Sequence, residues 1–181
     1  IFIKSRGLQA QTDYPFVVTR VNADTSFRST QFGDTLQYSV SSYPTSIKTA
    51  DLNDDEKTDM VSAIYFNTNR LSVFRNRSDS ALMLFDLAKD YSTYSGSFGG
   101  GSASTVRSVL ADMNGDGKPD MIAVSAYPDS LSVFMNNSQG AEINFMKKRD
   151  FITGSDPVNL AAADMDLDGI PDVACINATA G

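Results

Sequence analysis

The residues best placed for chemistry are oxygen donors at odd positions of a nine-residue loop. Asp112-Met113-Asn114-Gly115-Asp116-Gly117-Lys118-Pro119-Asp120 reads D-x-N-x-D-G-x-x-D. The spacing returns at Asp164-Met165-Asp166-Leu167-Asp168-Gly169-Ile170-Pro171-Asp172, and less regularly at Asp51-Leu52-Asn53-Asp54-Asp55-Glu56-Lys57-Thr58-Asp59. Side chains at positions 1, 3 and 5 of such a loop fall on alternating sides of a tight turn that wraps a cation. The carbonyl at position 7 and the carboxylate at position 9 close the shell. The expected ligands are Asp51, Asn53, Asp55, Lys57 and Asp59 in the first loop. In the second they are Asp112, Asn114, Asp116, Lys118 and Asp120, and in the third Asp164, Asp166, Asp168, Ile170 and Asp172. Hard oxygen donors in this number suit Ca²⁺ better than Mg²⁺, which demands a smaller, stricter octahedron and keeps several waters. Up to three Ca²⁺ are therefore expected. Gly117 and Gly169 at position 6 supply the positive φ of a sharp turn. Glu56 stands there in the first loop, where a left-handed non-glycine residue costs roughly 1 kcal/mol, so a weaker or altered first site is expected. An EF-hand would need Glu at position 12; Ser62, Ala123 and Cys175 stand there instead.

Composition agrees with a metal-binding role. The chain has 181 residues, 22 acidic against 15 basic, and a net charge of −7. The side-chain ligand positions hold ten of those 22 carboxylates, and three divalent cations would offset six negative charges. An acidic chain argues against nucleic acid as a partner, and no apolar run is long enough to span a membrane as a helix. One cysteine allows no internal disulfide, and the absence of histidine excludes a Ser-His-Asp triad within the chain. The opening Ile1-Phe2-Ile3 reads as part of a longer, processed product.

The elements that must position the loops repeat with them. The loop starts lie 61 and 52 residues apart. After each loop comes a short apolar run suited to a strand buried on both faces: Met60–Phe66, Met121–Ala126 and Val173–Ala178. A polar turn follows, then Leu71-Ser72-Val73-Phe74-Arg75-Asn76 and its near copy Leu131-Ser132-Val133-Phe134-Met135-Asn136, with Phe16–Asn22 as an earlier version. A third strand is expected around Phe85, Phe145 and Phe32. A fourth leads into the next loop at Ser46–Ala50, Val106–Ala111 and Val158–Ala163. Four short strands in about 50 to 60 residues match one blade of a β-propeller. The expected fold is all-β, with antiparallel four-stranded blades and about three blades' worth of chain. Such a chain cannot close a ring alone, because propellers have typically 4 to 8 blades. The units run 1–50 (a partial blade without its loop), 51–111, 112–163 and 164–181 (the start of the next blade). Residues 95–104 form a Gly/Ser-rich surface insertion in the second unit. Ile1-Phe2-Ile3 aligns with Met60-Val61-Ser62, just after a loop.

The loops, the Met/Val strand and the Leu-Ser-Val-Phe-x-Asn strand together resemble FG-GAP or VCBS repeats, the calcium-binding blades of integrin-α-like propellers. The run Phe145–Pro157 is similar to repeats of large secreted proteins of Bacteroidetes-type bacteria. The resemblance implies metals in hairpin loops at one rim, where they stiffen the blades, and a partner bound by other loops. It implies a secreted or cell-surface, non-enzymatic protein of adhesion or assembly, with a protein or glycan partner and self-association or further blades completing the ring. The alternatives are a glycan-binding lectin, with Tyr14, Tyr43, Tyr65, Tyr91, Tyr94 and Tyr127 to stack on sugars, or a non-catalytic part of a polysaccharide-degrading enzyme. Asn76-Arg77-Ser78, Asn136-Asn137-Ser138 and Asn177-Ala178-Thr179 fit the N-glycosylation pattern. Asp34-Thr35-Leu36, Asp79-Ser80-Ala81 and Asp129-Ser130-Leu131 resemble an O-glycan acceptor triplet. Repeat structure alone also explains the first two asparagine triplets. Cys175, Phe74, Phe134, Met60 and Met121 are expected to be core residues.

Overall fold

A computed structural model describes residues 15–21, 32–40, 43–65, 69–93 and 105–179, and the insertion at 95–104 and the segment 1–14 lie outside them. The described residues form twelve strands and no helix: β1 (Pro15–Val21), β2 (Phe32–Ser39), β3 (Tyr43–Ala50), β4 (Asp59–Tyr65), β5 (Arg70–Phe74), β6 (Lys89–Ser92), β7 (Thr105–Ala111), β8 (Asp120–Ala126), β9 (Asp129–Phe134), β10 (Arg149–Ile152), β11 (Pro157–Ala163) and β12 (Asp172–Asn177). They make two complete antiparallel sheets, β3-β4-β5-β6 and β7-β8-β9-β10, flanked by two-stranded sheets β1-β2 and β11-β12. The fold is all-β, and the sheets do not close into a ring.

Each nine-residue loop is a hairpin connection within one sheet, joining β3 to β4, β7 to β8 and β11 to β12. The sheets are therefore offset by one strand from the sequence units 51–111 and 112–163: each takes in the strand before its loop. A second difference concerns the phenylalanine segments. Phe85 and Phe145 form isolated bridges with Asn76 and Asn136. The outer strands β6 and β10 begin four residues later.

Period-2 alternation explains the packing. In β8, Met121 and Ala123 face the first complete sheet, joining Leu52, Val61, Ala63, Leu71, Val73, Phe134 and Ile143 in one core. Ile122 and Val124 face the other way, onto Leu160 of β11. A strand buried on both faces must be apolar at every position, which is why both post-loop runs are continuous rather than alternating. Phe74, Met60 and Phe85 form the core toward β1-β2, with Tyr38 half-buried against them. Tyr38 stands edge-on to Phe74 and Phe85 at 6.1 and 5.6 Å. Tyr91 does the same to Phe134 and Phe145 at 6.1 and 5.2 Å. An outer-strand tyrosine thus packs the β1-β2 sheet on the β3-β4-β5-β6 sheet, and another packs that sheet on β7-β8-β9-β10. The first strands β3, β7 and β11 lie beside one another, and Ser46 and Ser108 meet across the first of these contacts at 3.4 Å.

Candidate metal centre

The three loops share one internal construction. The carboxylate at position 1 accepts from the backbone N–H groups of the turn that follows it. Asp112 takes Gly115 at 2.8 Å and Asp116 at 3.1 Å on Oδ1, and Gly117 at 2.7 Å on Oδ2. Asp51 takes Asp55 at 3.2 Å and Glu56 at 2.7 Å. Asp164 takes Leu167 at 2.7 Å and Gly169 at 3.0 Å. For Asp112, slight burial pushes the carboxyl up, but the donors Gly117, Asn114, Gly115 and Asp116 outweigh it and hold the group below its ordinary value. The carboxylate at position 5 accepts the position-7 amide: Lys57 to Asp55 at 3.0 Å, Lys118 to Asp116 at 2.9 Å, Ile170 to Asp168 at 2.8 Å.

Aiming those amides inward requires left-handed backbone at two positions. Position 6 has φ of 63° at Glu56, 85° at Gly117 and 91° at Gly169. Position 4 does the same at Asp54 (61°), Gly115 (73°) and Leu167 (67°). The first loop thus keeps the turn of the other two and carries strain at both positions. Glu56→Gly is expected to raise stability by about 1 kcal/mol, read from urea denaturation in chelator. An unchanged or lower midpoint would show that the Glu56 side chain contributes more than its backbone costs.

Position 9 opens the next strand and is a joint between elements. Asp120 is fully buried and accepts from Met113 at position 2 (2.8 Å) and from the backbone of Asn136 (2.6 Å). Asp59 is also fully buried and accepts from Leu52 (2.9 Å) and Asn76 (2.8 Å). Asp172 accepts from Met165 at 3.0 Å but lies exposed. Desolvation pushes the Asp59 carboxyl up to about 6, against the pull of its two amide donors and with repulsion from Asp55 and Asp51 adding to the rise. Asp120 is raised by the same causes, with Asp116 and Asp112 as the repelling charges. Buried carboxylates crowded by like charges are what a cation would relieve.

Two further observations bear on the fit of a cation. Asp164, Asp166 and Asp172 bring carboxylate oxygens within 4.8 Å of one another, and they are the one such group of three among the described residues. In the other loops position 3 is asparagine, whose Nδ2 donates to the position-5 carboxylate (Asn53 to Asp55 at 3.2 Å, Asn114 to Asp116 at 3.0 Å). Asn53 is only 5 % exposed, and its Oδ1 is buried with no hydrogen-bond partner. An orphaned buried acceptor costs about 1–3 kcal/mol, and a hard cation would satisfy it.

The sequence pattern also hid a structural residue. Asn76 and Asn136 close the Leu-Ser-Val-Phe-x-Asn strand and hold the loops from the far side. Asn76 Nδ2 donates to the Thr58 carbonyl at 2.8 Å, and Asn136 Nδ2 to that of Pro119 at 2.9 Å. Each Oδ1 accepts the N–H of the serine two residues on, at 2.8 Å in both cases. The serine hydroxyls in turn accept from Leu84 and Asn144. The Asn-x-Ser triplets at 76 and 136 are thus turn-forming units, a role that accounts for their recurrence. Their signal in sequence was the recurrence of asparagine after equivalent strands. Among the acceptor-like triplets, Ser130 is buried with its hydroxyl on the Pro128 carbonyl, whereas Ser80 is exposed. Burial raises the Cys175 thiol above its ordinary value. Its half-buried side chain packs against the core around Ile122 and Leu160.

A family model described as the FG-GAP-like repeat matches residues 51–123 and 112–175. The chain belongs to the FG-GAP-like repeat family. Each match starts at the first residue of a loop, 51 or 112, and ends inside the strand that follows the next loop. No significant match was found among curated proteins or solved structures. FG-GAP-like repeats form β-propeller-type segments typical of extracellular proteins, and no helix among the described residues is long and apolar enough to cross a membrane.

Proposed function

We propose that the chain is a non-enzymatic, calcium-stabilised β-propeller segment of a secreted or cell-surface protein, serving adhesion or assembly. The observation that carries the calcium reading is Asn53 Oδ1, a buried acceptor without a donor at ligand position 3 of the first loop. In this reading positions 1, 3, 5 and 9 supply side-chain oxygens and position 7 its carbonyl. The cation supplies the positive charge that offsets the crowded carboxylates. Weak sites suffice in extracellular modules, at about 10⁻⁴ to 10⁻³ M. Structural commitment of the clustered carboxylates, together with a chain free of histidine, supports a role without catalysis. Calorimetric titration is expected to show calcium binding at up to three sites and weaker binding of magnesium. Absence of calcium heat up to several millimolar would sink the metal reading.

A second reading, glycan binding, draws on one pair. Tyr43 and Tyr65 lie directly opposite one another on β3 and β4, 48 % and 40 % exposed, at the end of the hairpin away from its loop. Tyr127 is also exposed, whereas Tyr91 is committed to the core, and Tyr14 and Tyr94 lie outside the described residues. Adhesion through a protein partner is tested by cell or bead binding to the immobilised chain with and without calcium. A glycan array, with the Tyr43→Ala variant as control, separates the two.

A further inference from the structure

The first two loops do not stand alone: a side chain of the second complete sheet holds both. Asn136 is 3 % exposed and lies where the two sheets meet. Its backbone N–H donates to Asp120, the closing carboxylate of the second loop, at 2.6 Å. Its Nδ2 donates both to Pro119 of that loop at 2.9 Å and, across the interface, to the carbonyl of Leu52 in the first loop at 2.8 Å. Leu52 in turn donates its N–H to Asp59, the closing carboxylate of the first loop, at 2.9 Å. The closing carboxylates of the two loops are thus joined through one asparagine, by its backbone N–H and its side-chain amide, and the backbone of Leu52. A second tie lies nearby, since Asn53 Nδ2 donates to the Ala141 carbonyl at 3.2 Å. Leu52 itself is buried in the core shared by the two sheets.

We propose that Asn136 couples the two loops energetically, so that a cation held in one raises the affinity of the other. The inference rests on reading the loops as cation sites and adds a relation between them. Asp120, held in place as a ligand of a bound cation, would fix the acceptor of the Asn136 N–H and so the position of that residue's amide. The amide then holds the Leu52 carbonyl, and with it the Leu52 N–H that orients Asp59. Whichever loop fills first does the ordering for both, which is positive cooperativity without a large change of shape. Asn76 serves as the internal comparison. It makes the equivalent bonds to its own loop, to Asp59 and Thr58. Among the described residues, no bond of its side chain to another sheet's loop accompanies them. In the third loop the corresponding position-2 residue, Met165, is 58 % exposed.

The test is a calcium-binding cycle by calorimetry on the full chain, with the third loop silenced by Asp168→Ala. Affinity at the second loop is measured with the first loop intact and with it disabled by Asp55→Ala. The cycle is then repeated in Asn136→Ala and in Asn76→Ala. Disabling the first loop should weaken the second by at least about fivefold, the lower end of usual couplings. The factor should fall to about one in Asn136→Ala and persist in Asn76→Ala, although Asn76→Ala weakens the first loop itself. If Asn136→Ala fails to fold, Asn136→Ser keeps a small polar group that cannot span to Leu52, and the same loss is expected. A factor near one in the otherwise unmodified chain overturns the coupling, as does a factor unchanged by either Asn136 substitution. Absence of any calcium heat would instead remove the metal reading on which the coupling stands.

Discussion

Transferring the protein from 10 mM calcium to excess EGTA is expected to lower its melting temperature by roughly 5–10 °C for each occupied site. A ligand that binds only the folded chain adds RT ln(1 + [L]/Kd), about 2.7 kcal/mol when free calcium is 100 times Kd. That ratio holds at 10 mM calcium for a site of about 10⁻⁴ M. For a domain of this size each kcal/mol moves the midpoint by about 2–4 °C. The effect has a structural source in both partners of the exchange. Without a cation, the folded chain holds Asp59 and Asp120 out of water beside like charges, and Asn53 Oδ1 has no partner. The unfolded chain solvates all three. A melting curve that moves by less than about 1 °C between calcium and EGTA would sink the structural-metal reading. An equal response to magnesium would instead point to general charge screening.

Asp120→Ala is expected to destabilise the protein by roughly 2–6 kcal/mol even in EGTA, whereas Asp172→Ala should cost under about 1 kcal/mol. The two residues hold the same loop position, so the difference comes from burial and from the second donor, Asn136, that Asp120 accepts. Removing Asp120 strands the N–H groups of Met113 and Asn136, and a buried unpaired donor costs about 1–3 kcal/mol. Relief of the repulsion from Asp116 and Asp112 moves the loss toward the lower end. Asp172 is exposed, and water replaces it as acceptor for Met165, which leaves a surface-sized effect. Urea denaturation in EGTA measures both. Equal losses would mean that the closing carboxylate matters through the loop's own turn and not through the sheet behind it.

The sequence by itself determined what depends on short spacing. Alternate oxygen donors and glycine at position 6 specify the turn, because both act within nine residues. The continuous apolar run after the first two loops specifies a strand covered on both faces, whereas the third run, β12, is largely exposed among the described residues. Repetition of that pair, at Asp51, Asp112 and Asp164, was enough for four-stranded blades and for the FG-GAP resemblance, which the family match bears out. The loop-to-loop period does not mark where a sheet begins. Hydrogen bonding between β3 and β4, or β7 and β8, places that point one strand earlier.

Tertiary structure alone decided which chemically similar loops differ. Loop one is partly covered, with Leu52 and Asn53 buried against the second complete sheet, and loop three stands exposed among the described residues. Ligand positions 3 and 9 therefore meet water in one case and protein in the other, and burial sets both the charge cost and the value of a cation. Asn136 gives the same lesson. Its partner carbonyl on Leu52 lies 84 residues away in the chain, and no local pattern encodes a contact at that separation. Its role comes from two sheets packing at a fixed register.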